Sequence, residues 1–336
     1  MRRAKYLSLA VLGATALALT ALFAMDAHRG YRQARLDVEW RSSNYTKLDA
    51  FGSTRRLVVT PIVNWHAIDP AFRTEPGVSY LVETDDQTIL FDVGFNQGEA
   101  RPSPFENNLK KLGRSLEEVD TIFISHLHRD HVGGLKWEKQ RTFSPGLVQP
   151  LFDKVEIFSP VKISYPGQQP VQLARPAIIG EGLASTGPIA RELFIGRVDE
   201  QALVINLEGK GLVIIVGCGH QTLDRLMTVI DASFDQPVYA LVGDLHYPVP
   251  EGRLKILGID VQKRLASGEG VFSPLSDADA ADFEQQVSDK FEYLALGGHD
   301  TSDEILQRLS QRLGRRFQIA TIGVPIDLSL VATEGD

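Results

Sequence analysis

Cysteine is nearly missing from this chain: there is one, Cys218, in 336 residues. A single thiol excludes an intrachain disulfide and any cysteine-rich zinc site, so a bound metal would have to be held by histidines and carboxylates. Positive charge is also short. Lysine and arginine number 35 against 43 aspartates and glutamates, a formal charge of −8, and such a chain repels a polyanion such as DNA. No internal repeat or low-complexity tract stands out. At 43% hydrophobic and 23% charged residues the composition is globular, which excludes wholesale disorder, collagen and a multi-span membrane protein. The length allows two domains or one large α/β unit.

One long hydrophobic run is present, at the start. Residues 6–25, YLSLAVLGATALALTALFAM, carry no charge and follow Arg2, Arg3 and Lys5. A helix of that length is ~30 Å long, enough to cross the hydrocarbon core. The basic cluster keeps its end in the cytoplasm, so the remainder is expected to be exported, on the periplasmic or extracellular side. Residues 1–27 read as a signal anchor or a signal peptide. A small-x-small cleavage pattern is missing, because Leu22 or Met25 would stand at the −3 position of a cut after Ala24 or Ala27, and an uncleaved membrane anchor fits better. A buried core helix is the competing interpretation. Residues 28–54 read as a polar tether, and 55–336 as the folded domain.

Within that domain three β-rich runs come first: 57–63, 79–84 and 88–93, the last two joined by Asp85-Asp86-Gln87 as a hairpin. A helical stretch, ENNLKKLG, ends at Gly113; Ser115-x-x-Glu118 is a capping box; TIFIS (121–125) is a strand. A second hairpin spans 202–216, followed by the helix TLDRLMTVIDA and the strand VYALV (238–242). FEYLAL (291–296) precedes Thr301-x-x-Glu304, a capping box for the helix ILQRLSQRLG, and the strand FQIATI closes the domain. Hairpins followed by strand–helix alternation predict an α/β fold of mixed sheets covered by helices. Residues 139–197, rich in proline, glycine and glutamine, read as a loop-rich insertion of the kind that shapes an active-site mouth.

The chemistry gathers where strand 121–125 ends. Ser125-His126-Leu127-His128-Arg129-Asp130-His131-Val132-Gly133-Gly134 has an H-x-H-x-D-H spacing. Alternation along an extended chain puts His126, His128 and Asp130 on one side, and His131 turns in as the glycines bend the loop. Imidazoles with a carboxylate are the usual ligands of a catalytic zinc, which keeps an open position for water. A surface loop that binds nothing has no packing reason to collect them.

This segment resembles the signature of the metallo-β-lactamase superfamily. The resemblance implies a four-layer αββα sandwich of two mixed sheets, preceded here by the N-terminal hydrophobic helix. It also implies three later ligands at strand ends. IIVGCGH supplies His220, YALVGDLH supplies Asp244, and LALGGHD supplies His299. By analogy His126, His128 and His220 hold one metal and Asp130, His131 and His299 a second, with Asp244 bridging. Two zinc ions are implied; manganese and iron accept similar sites. His246, two residues past Asp244, is a ligand, a substrate contact, a proton donor or a plain surface residue. Cys218 reads as a buried filler, and Asp92 in LFDVG as a brace behind the metal loop.

Other pieces are similar to one branch, the ribofuranosylaminobenzene phosphate (dihydropterin) synthase-like proteins: Glu75-Pro76-Gly77-Val78-Ser79, LFDVG, NNLKKLGRSLEEVDTIFISH, TGPIAR and DEQALVINLEGKGLVIIVGCGH. The chain departs from that branch at Asp244-Leu245-His246-Tyr247, where Gly-Phe-His-Leu is usual, and at His299-Asp300-Thr301-Ser302, where His-Cys-Thr-Gly is usual.

The resemblance implies a metal-dependent hydrolase. Zinc lowers the pKa of bound water to roughly 7, and the resulting hydroxide would attack an ester, lactone, amide or phosphoester. Asp130 or Asp244 would accept the nucleophile's proton, and His246 would protonate the leaving group. The partner is a small-molecule substrate, with no nucleic acid and with a membrane only through the N-terminal segment. A non-hydrolytic synthase-type enzyme using the same metals, and a binding protein on an inherited fold, are the alternatives. An iron redox enzyme is set aside, because related flavin-partnered oxygen reductases carry glutamate where His128 stands and append a flavodoxin-like domain.

Overall fold

A computed structural model of the chain describes residues 2–329. It opens with one long helix, α1 (Arg2–Ser42). The helix runs straight through residues 28–42, where composition suggests a tether. This stretch has no proline and a single glycine, Gly30, so nothing breaks the helix. One face of it also docks on the domain: Leu36 is buried, the Glu192 N–H donates to Gln33 Oε1 at 2.9 Å, and Asp37 pairs with Arg225.

The first sheet begins with β1 (Val58–Val63), β2 (Ser79–Glu83) and β3 (Thr88–Phe91). Helix α2 (Pro104–Lys111) leads to β4 (Thr121–Phe123), and α3 (Leu135–Gln140) to β5 (Glu156–Ser159) and β6 (Val171–Gln172). β7 (Ala177–Gly180) and β8 (Leu183–Ser185) start the second sheet. A separate hairpin, β9 (Ile189–Leu193) with β10 (Gly196–Glu200), intervenes before β11 (Leu203–Leu207) and β12 (Gly211–Val216). Then follow α4 (Leu223–Ser233), β13 (Val238–Gly243) and a small hairpin of β14 (Lys255–Ile256) and β15 (Ile259–Asp260). The chain finishes with α5 (Asp277–Lys290), β16 (Tyr293–Leu296), α6 (Asp303–Leu313), β17 (Phe317–Ile319) and β18 (Ile326–Asp327).

The strand orders are β18-β1-β2-β3-β4-β5-β6 and β17-β16-β13-β12-β11-β8-β7. Both sheets are mixed. β3, β4 and β5 run parallel beside an antiparallel β1–β2–β3 meander, and β12, β13, β16 and β17 run parallel beside antiparallel β11. Period-two alternation assigns each strand's side chains to two layers. On β12, Val213 and Ile215 join Val59, Phe91 and Phe123 between the sheets. Leu212, Ile214 and Val216 face Leu226, Phe283 and Leu309 of the covering helices. On the other side Leu81, Leu90 and Ile122 pack under Phe105, Leu109 and Trp137. Helix, sheet, sheet, helix is the four-layer arrangement expected.

Three further sequence expectations need correction. Residues 139–197 are more than a loop-rich insertion, because they supply β5 to β9, including the outer strands of both sheets; those strands are too short for apolar alternation to show. The helix after residue 300 is capped by Ser302, whose Oγ accepts from the Ile305 N–H. The Thr301 hydroxyl is committed to the Leu245 carbonyl instead. FQIATI does not close the domain, since β18 follows and pairs with β1.

Candidate metal centre

Parallel strands deliver their carboxyl ends to one region, and the site residues stand just past those ends. The histidine loop follows β4, His220 follows β12, Asp244 follows β13, and His299 follows β16. The loop is shaped by its own backbone: the His131 N–H donates to the His128 carbonyl at 2.9 Å, and the Gly133 N–H to Gly94 O at 2.8 Å. Gly133 has φ of 88°, and a Cβ there would stand 1.7 Å from the Ser144 oxygen. Only glycine fits that turn.

Four overlapping sets of ligand atoms result among the described residues, two of which include Cys218, with His126 and His131 in one and with His220 and Asp300 in the other. His126, His128 and His220 place theirs within 4.8 Å of one another, and so do Asp130, His131 and His299. The latter two sets adjoin, with the His126 and His131 rings 4.1 Å apart between centroids. These are the two triads the family resemblance implies. His126 and His131 are fully buried, whereas His128 and Asp130 are half-buried and form the open side. Asp244 is fully buried. Its Oδ2 accepts from Asn64 Nδ2 at 3.3 Å and its Oδ1 from the Asp300 N–H at 3.4 Å; among the described residues it belongs to none of the close ligand sets. His246 lies against His220, ring centroids 5.0 Å apart, with its Nδ1 3.0 Å from Asp300 Oδ2.

The supports behind these groups are explicit. Asp92 Oδ2 lies 2.6 Å from His131 Nδ1 and accepts from Ser125 Oγ at 2.6 Å, while its Oδ1 accepts from the Ser125 N–H at 2.8 Å. A proton held on Nδ1 by that contact leaves Nε2 as the ligating nitrogen. Glu200 is fully buried and takes the N–H groups of Cys218, Gly219 and His220 at 2.9, 3.0 and 2.7 Å, which fixes the bend before His220. Burial lifts its carboxyl to about 7 against the pull of those N–H donors. Glu200, Asn64 and Asp300 went unread in the sequence as site residues. Glu200 sits within the run DEQALVINL shared with the synthase-like branch, but its contact with the His220 loop exists only in three dimensions. Cys218 is buried, with Sγ 2.9 Å from His131 Nε2, so it borders the centre rather than merely filling space.

The electrostatics divide the histidines. Burial and the neighbouring imidazoles push His126 and His220 well below the ordinary range, and burial takes His128 to about 4 despite Asp130. These three are neutral, the state a metal ligand requires. Burial would lower His299 too, but Asp300 and Asp130 outweigh it and raise the ring to about 10. Burial is likewise outweighed at His131 by Asp92 and at His246 by Asp300. Asp244 is raised to about 6, chiefly by burial. The residues present fit a metal. Among the described residues both nitrogens of buried His220 lack a hydrogen-bond partner, a costly arrangement for an imidazole in the interior that coordination would relieve.

A histidine–carboxylate cluster at the strand ends of an αββα sandwich defines a metallohydrolase-type fold. The chain belongs to the metallo-beta-lactamase superfamily, whose family model matches residues 73–299. Among curated relatives, it is 26% identical to the 7,8-dihydropterin-6-methyl-4-(beta-D-ribofuranosyl)-aminobenzene-5'-phosphate synthase of Methanocaldococcus jannaschii, with 52% of this chain and 72% of that one covered. Among solved structures, a metal-dependent hydrolase of the beta-lactamase superfamily aligns over 80% of this chain and 98% of its own at a TM-score of 0.54 and 20% identity. The metallo-beta-lactamase fold protein YhfI from Bacillus subtilis aligns over 81% and 99% at a TM-score of 0.49 and 16% identity.

Proposed function

We propose that this protein is a metal-dependent hydrolase with a dinuclear centre, acting on a small molecule through an ester, lactone, amide or phosphoester bond. The observation that carries the proposal is the pair of adjoining triads, His126/His128/His220 and Asp130/His131/His299, each with ligand atoms within 4.8 Å. Zinc is the metal we favour, with manganese or iron accepted by the same donors, and such ions supply Lewis acidity and an acidified water. The chain's own groups then have distinct tasks. Asp130 is on the open side but is held ionised by His299, which makes it a weak base; Asp244, raised to about 6, is the better-tuned acceptor for the nucleophile's proton. Asp300 raises the His246 ring against burial, which favours its protonated form and suits it to protonate a leaving group. Asp244 retains the bridging role only if its carboxylate turns from Asn64. A net charge of −8 supports a partner other than nucleic acid.

Elemental mass spectrometry on the detergent-purified full chain tests this. About two metals per chain, falling in His128→Ala, is the expected result; no metal under conditions that load a control hydrolase would leave a binding protein on an inherited fold. A synthase-type reaction is the second reading, favoured by the Methanocaldococcus relative. Solvent oxygen-18 appearing in the product separates hydrolysis from it.

We infer further that α1 anchors the protein in a membrane with the domain exported. Val11 to Met25 expose every side chain, and the helix is long and apolar enough to span. Arg2, Arg3 and Lys5 support an inside N-terminus.

A further inference from the structure

We propose that the catalytic domain docks onto the same bilayer that α1 enters, through an apolar rim made by the tip of the β9–β10 hairpin, the β14–β15 hairpin and Phe272. The proposal rests on the membrane reading of α1 above. The position of the rim follows from contacts along that helix. Asp37 pairs with Arg225, whose Nη1 donates to the Ala190 carbonyl at 3.0 Å. Farther along β9, the Glu192 N–H donates to Gln33 Oε1 at 2.9 Å. Two strand residues and four helix residues each advance about 6 Å, so β9 runs alongside α1 toward the membrane end. The turn that follows β9 carries Ile195, 58% exposed, onward in the same direction, toward the level of Arg29.

The 262–272 segment reaches the same level. Arg29 Nη1 donates to the Gly268 carbonyl at 2.8 Å, the Val271 N–H to Asp26 Oδ1 at 3.3 Å, and the rings of Phe23 and Phe272 lie 6.1 Å apart. Phe23 belongs to the uncharged run 6–25, so a bilayer that takes that run also reaches Phe272. The tip and the segment are tied, since the Phe194 N–H donates to the Leu265 carbonyl at 3.2 Å. Just before that segment in the chain stands the β14–β15 hairpin, whose Ile256, Leu257 and Ile259 are 54%, 97% and 58% exposed. Its two-residue loop, Leu257-Gly258, has φ of 51° and 78°, where asparagine or aspartate before glycine is the ordinary choice. A leucine there suits neither the backbone nor water. Contact with hydrocarbon suits its side chain.

The rim is continuous with a wall of the metal centre: Gln262 Nε2 donates to Asp300 Oδ1 at 2.6 Å, and Arg253 Nη2 to the Thr301 carbonyl at 3.2 Å. Docking sets that wall against the headgroup layer. The substrate class it favours is an amphiphile whose ester or phosphoester enters the centre from the membrane surface.

The test uses the full chain in phosphatidylcholine–phosphatidylglycerol vesicles, with an environment-sensitive fluorophore on a cysteine introduced singly as Ile195→Cys, Leu257→Cys or Phe272→Cys. Leu17→Cys reports the anchor and Leu151→Cys, 84% exposed, reports water; native Cys218 is buried. Labels at 17, 195, 257 and 272 are expected to shift to the blue and resist quenching by aqueous iodide, while the label at 151 does neither. Rim labels that behave like 151 beside a lipid-embedded label at 17 would overturn the docking and leave the anchor intact. A label at 17 that also lies in water would overturn the membrane reading itself.

Discussion

At the scale of single residues, the centre depends on groups that never face the substrate. Asp92 is the clearest. It is fully buried, has φ of 53°, and touches both Ser125 and His131. Asparagine tolerates that backbone conformation, so Asp92→Asn isolates the lost charge from a folding defect. We expect the affinity of the Asp130/His131/His299 position for metal to fall roughly 10- to 100-fold, read by competition with a chromophoric chelator, with the circular dichroism spectrum unchanged. Affinity equal to the wild type would show that His131 does not depend on the charge of its carboxylate partner. The residues expected as ligands were legible because all seven stand in short strand-end motifs. Asp300 was not legible as a site residue. It stands next to His299 in the chain, and only folding reveals that its carboxylate meets His246 from another strand end.

At the scale of elements, short polar ties fix loops against the sheets. Glu83 at the end of β2 meets Arg114 past α2 at 2.9 Å and Arg56 before β1 at 3.3 Å. Burial would raise its carboxyl, but the hydrogen bond and charge of Arg114, with Arg56, hold it below the ordinary 4.5. A lowered folded value means the pair stabilises the protein fully above about pH 4.5, and that this stability is lost as pH falls through the folded value. The urea-midpoint gap between wild type and Glu83→Gln should therefore be present at about pH 6 and shrink toward pH 3. A gap that does not change with pH would remove the ion pair from the account. Amphipathic helices and apolar hairpins were readable at this scale. α5 was not: its capping box at Ser276 and Asp279 is plain once seen, but the acidic run DADAAD hides the apolar period carried by Ala280, Phe283 and Val287.

At the scale of the whole molecule, α1 is two things in one helix. Between Val11 and Met25 it exposes every side chain, whereas residues 28–42 belong to the domain. A piece beginning at Ser43 should melt lower than one beginning at Arg29 by roughly 3–10 °C, because it loses buried Leu36, worth about 1.5–3 kcal/mol, and the Asp37–Arg225 tie. Equal melting temperatures would return residues 28–42 to the status of a tether.

The sequence by itself determined the class of fold, the histidine loop, the strand-end places of His220, Asp244 and His299, and the apolar first helix. All of these are local: each is a period, a cap or a short motif within a few neighbouring residues. Only the tertiary structure decided that residues 139–197 close both sheets, since strands this short are stabilised by their neighbours rather than by their own pattern. It likewise decided which carboxylates lie close together. Glu200 meets the His220 bend, Asn64 takes Asp244, and Asp300 reaches His246. Those contacts join strand ends far apart in the chain, and chain separation carries no sign of them.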